Sequence, residues 1–234
     1  MKILIVADEE SKKYWDYYEP GMLDAFDLIL SCGDLSPQYL EFLVTMSNKD
    51  LLYVHGNHDQ KYDENPPLGC ISVEDRVFNY KGLRVLGLGG SMKYRDAAYM
   101  YTEREMARRA RRAKRSIRKN GGFDILLTHA PAFGLNHGND LAHCGFRVFN
   151  DLMDRYRPAY FIHGHIHKNY CDGYKKDDCY GETHVINASG LYELEIPDAL
   201  LSPHCPDEKT MRRALHRAHR EENLASGCPQ HKNS

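Results

Sequence analysis

No apolar run in this chain approaches the length that a membrane span requires. The apolar start, Ile3-Leu4-Ile5-Val6, is far shorter than the core of a secretory leader and runs straight into Asp8-Glu9-Glu10. It reads as a buried first strand of a protein expected to work in the cytoplasm, with no membrane partner. Paired cysteine spacing is also missing. The seven cysteines, Cys32, Cys70, Cys144, Cys171, Cys179, Cys205 and Cys228, are scattered, with no C-x-x-C pair, and read as reduced thiols. Internal repeats are absent. Gly87-Leu88-Gly89-Gly90-Ser91 is glycine-rich but lacks the lysine of a phosphate-binding P-loop, so it reads as a strand end. A formal charge of −2 names no partner by itself.

What is present is enough chain for one substantial core: 234 residues, 42% of them hydrophobic. Short runs rich in Ile, Leu and Val predict strands at residues 2–7, 27–32, 51–55, 84–88, 123–128, 160–163, 185–187 and 192–196. Such continuous apolar runs suit strands covered on both faces. Helical spacing falls at 37–47, 102–119 and 146–156. Pro37 suits a first helical turn, and Asn120-Gly121-Gly122 a helix stop. The alternation predicts an α/β fold with layered sheets and helices outside. Past about residue 199, Pro, His and charged residues dominate. Residues 1–199 are therefore read as the domain and 200–234 as an appended tail, with a short helix possible at 210–225.

Five strands end alike, with polar residues beside glycine: Asp8-Glu9-Glu10, Gly33-Asp34, Gly56-Asn57-His58-Asp59, His129-Ala130-Pro131 and His163-Gly164-His165-Ile166-His167. Strand ends of α/β sheets are where sites are built. A lone aspartate after a strand is ordinarily a turn residue, and a lone buried histidine is ordinarily a core residue. Five such clusters in order are not explained that way. Carboxylate, amide and imidazole together form a mixed O/N donor set. Without thiolate, it suits Mn, Fe, Zn or similar divalent ions. Two such ions are the usual device for in-line displacement at phosphorus.

The order D-x-x, G-D, G-N-H-D, T-H-A-P, G-H-x-H resembles the calcineurin-like metallophosphoesterases, over Asp8 to His167. The resemblance implies a four-layer α/β/β/α sandwich. It also implies a phosphoesterase acting on a phosphate monoester or diester, with a water shared between two divalent ions as the attacking group. Manganese is the first expectation, with Fe, Zn, Ni and Mg as further ones. Asp8 and His167 would bind the first ion, Asp34 would bridge, and Asn57, His129 and His165 would bind the second. His58 would face the substrate, with Asp59 orienting it. The family's first motif is usually Asp-x-His, but Glu10 stands in the place of that histidine here. Glu10 is either a substitute ligand or a bystander.

Residues 102–119 carry seven Arg and two Lys around an apolar stripe of Met106, Ala110, Ala113 and Ile117. The basic face reads first as solvated surface. The second reading, not favoured by the slightly acidic whole, is a landing surface for a polyanion such as RNA. Tyr94, Arg95, Tyr99 and Tyr101 read either as a cleft wall or as packing. His137 and His143 lie in a polar segment within reach of the His129 loop. The alternative to an enzyme is a catalytically weak or silent interaction module on the same fold.

Overall fold

The computed structural model describes residues 1–136, 140–168 and 174–201. The helical stretch expected at 210–225, His137, Cys171, Cys205 and Cys228 lie outside the described residues.

Among the described residues, thirteen strands form two main sheets and one small pair. The first sheet holds β1 (Lys2–Ala7), β2 (Leu28–Ser31), β3 (Leu51–Tyr53) and β4 (Ile71–Ser72). The second follows with β5 (Val77–Tyr80) and β6 (Leu83–Leu88), and β7 (Ser91–Met92) pairs with β8 (Met100–Tyr101). The chain then adds β9 (Ile125–Thr128), β10 (Tyr160–His163), β11 (Asp177–Tyr180), β12 (Thr183–Asn187) and β13 (Gly190–Glu195). The sheet orders are β13-β1-β2-β3-β4 and β11-β12-β10-β9-β6-β5. β1 to β4 run parallel, as do β6, β9, β10 and β12, while β13, β11 and β5 run antiparallel to their neighbours.

The side-chain alternation of each strand divides it between two cores. Ile3, Ile5 and Ala7 of β1 enter a core shared by both sheets, together with Ile125, Leu127, Ile162 and Ile186 from the second sheet. Leu4 and Val6 point the other way, to a layer closed by α1 (Pro37–Ser47) through Tyr39, Leu40 and Leu43. Leu126, Phe161 and Val185 of the second sheet meet α2 (Glu103–Lys119) and α3 (Arg147–Tyr156). Both sheets are covered on both faces, which is why their strands read as unbroken apolar runs. The layer order is α/β/β/α, as the resemblance implied.

Each helix end has a local cause. Ser36 accepts the amide of Tyr39 (3.2 Å) ahead of Pro37, and Asn48 closes α1 in the left-handed region (φ 52°). Thr102 and Glu105 form a reciprocal capping box on α2. α3 has no cap of its own. Glu103 of α2 caps it, accepting from the amides of Arg147 (3.0 Å) and Val148 (2.9 Å).

Several short strands were not expected. The β5–β6 hairpin turns on Lys81 and Gly82, both at positive φ, and β11 is an edge strand with little apolar content. The glycine-rich 87–91 segment is a closure between sheets. A Cβ on Gly89 would lie 2.4 Å from both His55 O and Glu74 Oε1, so only glycine lets the sheets meet there. After β13, Leu200 and Leu201 rest on the inter-sheet core.

That junction is tied by charge. Glu74 Oε1 accepts from His55 N (2.8 Å), and its Oε2 accepts from Gly89 N (3.0 Å) and from Arg109 of α2. Arg109 also donates to Asp75 Oδ1 (2.8 Å) and Gly89 O (2.6 Å), and lies over the Tyr101 ring at 4.4 Å. Burial alone would raise the pKa of Glu74, but Arg109 and His55 hold it well below the carboxylate range. Glu74→Gln is expected to cost about 3 kcal/mol in urea unfolding at pH 7, because a buried guanidinium loses one of its two carboxylate partners and keeps only Asp75. A depressed native pKa means that this contribution is whole above the free side chain's 4.5 and is lost as the pH falls below it. The gap between parent and variant therefore narrows in acid. Equal midpoints at pH 7 would refute the role given to Glu74.

Candidate metal centre

The five motif loops meet at the C-terminal ends of β1, β2, β3, β9 and β10. Close approach of the β2 and β3 loops depends on glycine at both. A Cβ on Gly33 would fall 2.1 Å from Gly56 N, and one on Gly56 would fall 2.0 Å from Asp34 Oδ1. Asp59 fastens the same two loops, with its buried Oδ2 accepting from Asp34 N (2.9 Å) and Gly56 N (2.7 Å). Burial and the nearby Asp34 charge raise its pKa to about 6. The resemblance gave Asp59 the task of orienting His58. These bonds give it the task of holding the loop backbones. Three of the expected ligands take left-handed backbone angles: Asp8 (φ 63°), Asp34 (φ 59°) and His165 (φ 67°). Such conformations cost of order 1–3 kcal/mol each and gather at functional sites.

Four expected ligands are brought together. His129 Nε2 lies 3.0 Å from Asn57 Oδ1, 3.1 Å from His165 Nδ1 and 3.4 Å from Asp34 Oδ2. The Asp34, His129 and His165 ligand atoms lie within 4.8 Å of one another. Backbone carbonyls set the ring orientations. His129 Nδ1 donates to Cys32 O (2.8 Å), and His165 Nε2 donates to Ala142 O (3.1 Å). Each ring thus turns its other nitrogen inward, the arrangement found in metal-ligating histidines. Neither carbonyl has a sequence signal, since any residue supplies one.

The inward atoms are electron-rich and need a cation among them. Burial opposes a charge on His129, but Asp34 overrides it and lifts the pKa to about 9; Asp34 itself, despite burial, is held at about 2 by His129. Burial and the neighbouring His129 lower His165 to about 3, which keeps it a neutral donor. A proton on His129 or a metal ion can satisfy the cluster. Separations near 3 Å are what ligands about 2.0–2.2 Å from one ion make at right angles to each other. The residues fit a divalent ion.

The other expected ligands are placed differently. The Asp8 carboxylate is buried and accepts from His165 N with both oxygens, at 3.0 and 2.9 Å. Burial pushes its pKa up. His167 is partly exposed, with Nδ1 3.3 Å from Oε1 of Glu9, a residue the motif reading passed over. Glu10 is exposed and accepts from the Ser36 amide (3.3 Å) and hydroxyl at the start of α1. It therefore has a structural partner away from the cluster. Glu10→Ala is expected to leave metal content unchanged and activity within about twofold, and to cost about 1 kcal/mol through Ser36. Loss of a bound ion in that variant, read by elemental analysis, would restore Glu10 as a ligand.

His58 stands exposed at the rim, its amide donating to Asp34 Oδ1 (2.7 Å). On one flank Tyr99 stacks on His55 (4.3 Å between centroids, 8° between planes), with its hydroxyl on Asp63. Tyr99 is therefore held by packing, Tyr101 carries Arg109, and Tyr94 is exposed beside Arg95. On the other flank His143 stacks on His165 at 4.8 Å and pairs with Asp140 (2.8 Å). Residues 140–143 thus reach the centre through His143.

The chain belongs to the calcineurin-like phosphoesterase family, whose profile matches residues 4–169. UPF0046 protein T07D4.2 of Caenorhabditis elegans is 32% identical over 115 residues, which span 46% of this chain and 27% of that protein. The match therefore covers about a quarter of the relative's length. Among solved structures, TT1561 of Thermus thermophilus superposes with a TM-score of 0.55 at 15% identity, over 81% of this chain and 89% of that one. The phosphopantetheinyl hydrolase PptH of Mycobacterium tuberculosis gives 0.54 at 13% identity, over 89% and 97%. At such identities the likeness is one of fold. Among the described residues, no helix is long and apolar enough to cross a membrane.

Proposed function

We propose that this protein is a dinuclear metal-dependent phosphoesterase that hydrolyses a phosphate monoester or diester. The observation that carries the reading is the convergence of Asp34, Asn57, His129 and His165 on one point, with both rings aimed by backbone carbonyls. These four would hold one ion. Asp8 and His167, with Asp34 shared, would hold the second. Divalent ions there would supply positive charge for the phosphate oxygens and would make a water acidic enough to attack at neutral pH. Manganese is proposed first, with Fe, Zn, Ni and Mg as alternatives, because the donors mix oxygen and imidazole nitrogen.

The chain's own groups do the rest. Asp59 and the two glycines keep Asp34 in place. Standing at the rim, His58 donates a proton to the leaving oxygen. A cytoplasmic setting is part of the proposal, supported by Cys32, Cys70, Cys144 and Cys179, which are thiols and not disulfides.

A second reading, a weak or silent module on the same fold, draws on one observation: Glu10 bonds to Ser36 and His167 pairs with Glu9, so the first site is less assembled than the second. The test is to strip the protein with chelator, re-supply each of the five metals, and assay a nitrophenyl monoester and diester. Turnover that returns with metal supports the enzyme. Bound metal without turnover on either ester supports the module.

A further inference from the structure

One strongly charged surface plays no part in the metal centre. α2 packs on the second sheet through Met106, Ala110, Ala113 and Ile117, and turns Arg109 inward to Glu74 and Asp75. The opposite face carries Arg104, Arg108, Arg111, Arg115 and Arg118, all exposed. Their spacing of four, three, four and three residues sets them in one stripe along the helix. At 1.5 Å per residue the stripe is about 21 Å long, with a cation roughly every 5 Å. Among the described residues, no carboxylate lies within 4.0 Å of these five side chains. Arg112, Lys114 and Lys119 flank them, also exposed. In a chain of net charge −2, this is a local concentration of positive charge and not a reflection of the whole.

The geometry points to a nucleic-acid backbone as the partner of this face. A single strand or duplex presents a regular row of phosphates, of which each strand carries one per ~3.4 Å of axis in B-DNA. The row of cations has a comparable charge density. The central stripe is all arginine, whose planar fork bonds phosphate oxygens in pairs. Beside the stripe, between α2 and α3, lies a groove of about 290 Å³ lined in part by Arg111, Lys114, Arg155 and Tyr156, with Asp151 as the one acid among its described lining residues. A membrane fits less well. The apolar face of α2 is already buried against the sheet, so nothing remains to enter a bilayer. This surface is independent of the proposed hydrolysis and would serve to hold or localise the protein on nucleic acid.

The test is fluorescence anisotropy of the full chain in chelator, with a labelled 20-nucleotide single strand and a 20-base-pair duplex of mixed sequence. Engagement of about five phosphates predicts a slope of log affinity on log salt near −3.5 for the single strand and near −4.5 for the duplex. Between 50 and 200 mM salt the single strand should lose roughly 10²-fold in affinity. The R108E/R111E/R115E variant should bind at least about tenfold more weakly. Lysine at the same three positions should stay within about threefold, and both variants should keep the parent's circular dichroism and melting temperature. Any of three results would overturn the inference: an unchanged affinity in the glutamate variant, equal binding of polyglutamate at matched charge, or binding only to phosphatidylserine vesicles.

Discussion

Asp34→Asn is expected to abolish hydrolysis, with kcat/KM falling on the order of 10³-fold or more, and the purified variant is expected to carry less metal than the parent. Asp34 is the carboxylate shared by both proposed sites. In the metal-free protein its charge also holds the His129 pKa at about 9. Replacing one oxygen with an amide removes that charge while keeping the shape, so the loss reports electrostatics and not packing. The magnitude follows from losing the ligand that places charge at the reacting phosphate. Elemental analysis and steady-state rates, taken on the same preparations, check it. A variant with the parent's metal content and rate would remove Asp34 from the centre.

His58→Ala is expected to keep its metal and to lose about 10²–10⁴-fold in turnover on unactivated esters. The side chain is exposed at the rim, and its backbone amide, which the substitution leaves intact, is the group that bonds Asp34 (2.7 Å). The cluster should therefore stand. A nitrophenolate leaving group needs no proton, so the loss should shrink on nitrophenyl esters. Equal losses on activated and unactivated esters would assign His58 to phosphate binding, and loss of metal would make it a ligand.

The two-sided burial of β1, β9 and β10 was legible because each strand is apolar at nearly every position, which only a doubly covered sheet requires. The meeting of Asp34, Asn57, His129 and His165 was legible as well, because glycine, aspartate, asparagine and histidine recur at strand ends where the chain must turn. Less legible was anything fixed by backbone or by distant pairing. Cys32 and Ala142 orient the two histidines through carbonyls that every residue type shares. Glu74 and Arg109 are 35 positions apart in sequence, and only the fold joins them. Spacing places Glu10 beside Asp8 but says nothing of Ser36, which competes for its carboxylate. Asp59 reads as part of the G-N-H-D motif, yet its bonds to two amides show a task that motif order does not reveal.

The proposed closure of Asp34, Asn57, His129 and His165 on a divalent ion is open to direct observation. Its most direct test is an anomalous-difference map from crystals of the full chain grown with Mn²⁺, with data collected at a wavelength where manganese scatters anomalously. A peak bounded by Asp34 Oδ2, Asn57 Oδ1, His129 Nε2 and His165 Nδ1 is expected, with a second peak toward Asp8 and His167. A map with no peak among those four atoms, with His129 Nε2 still bonded to Asn57, would contradict it.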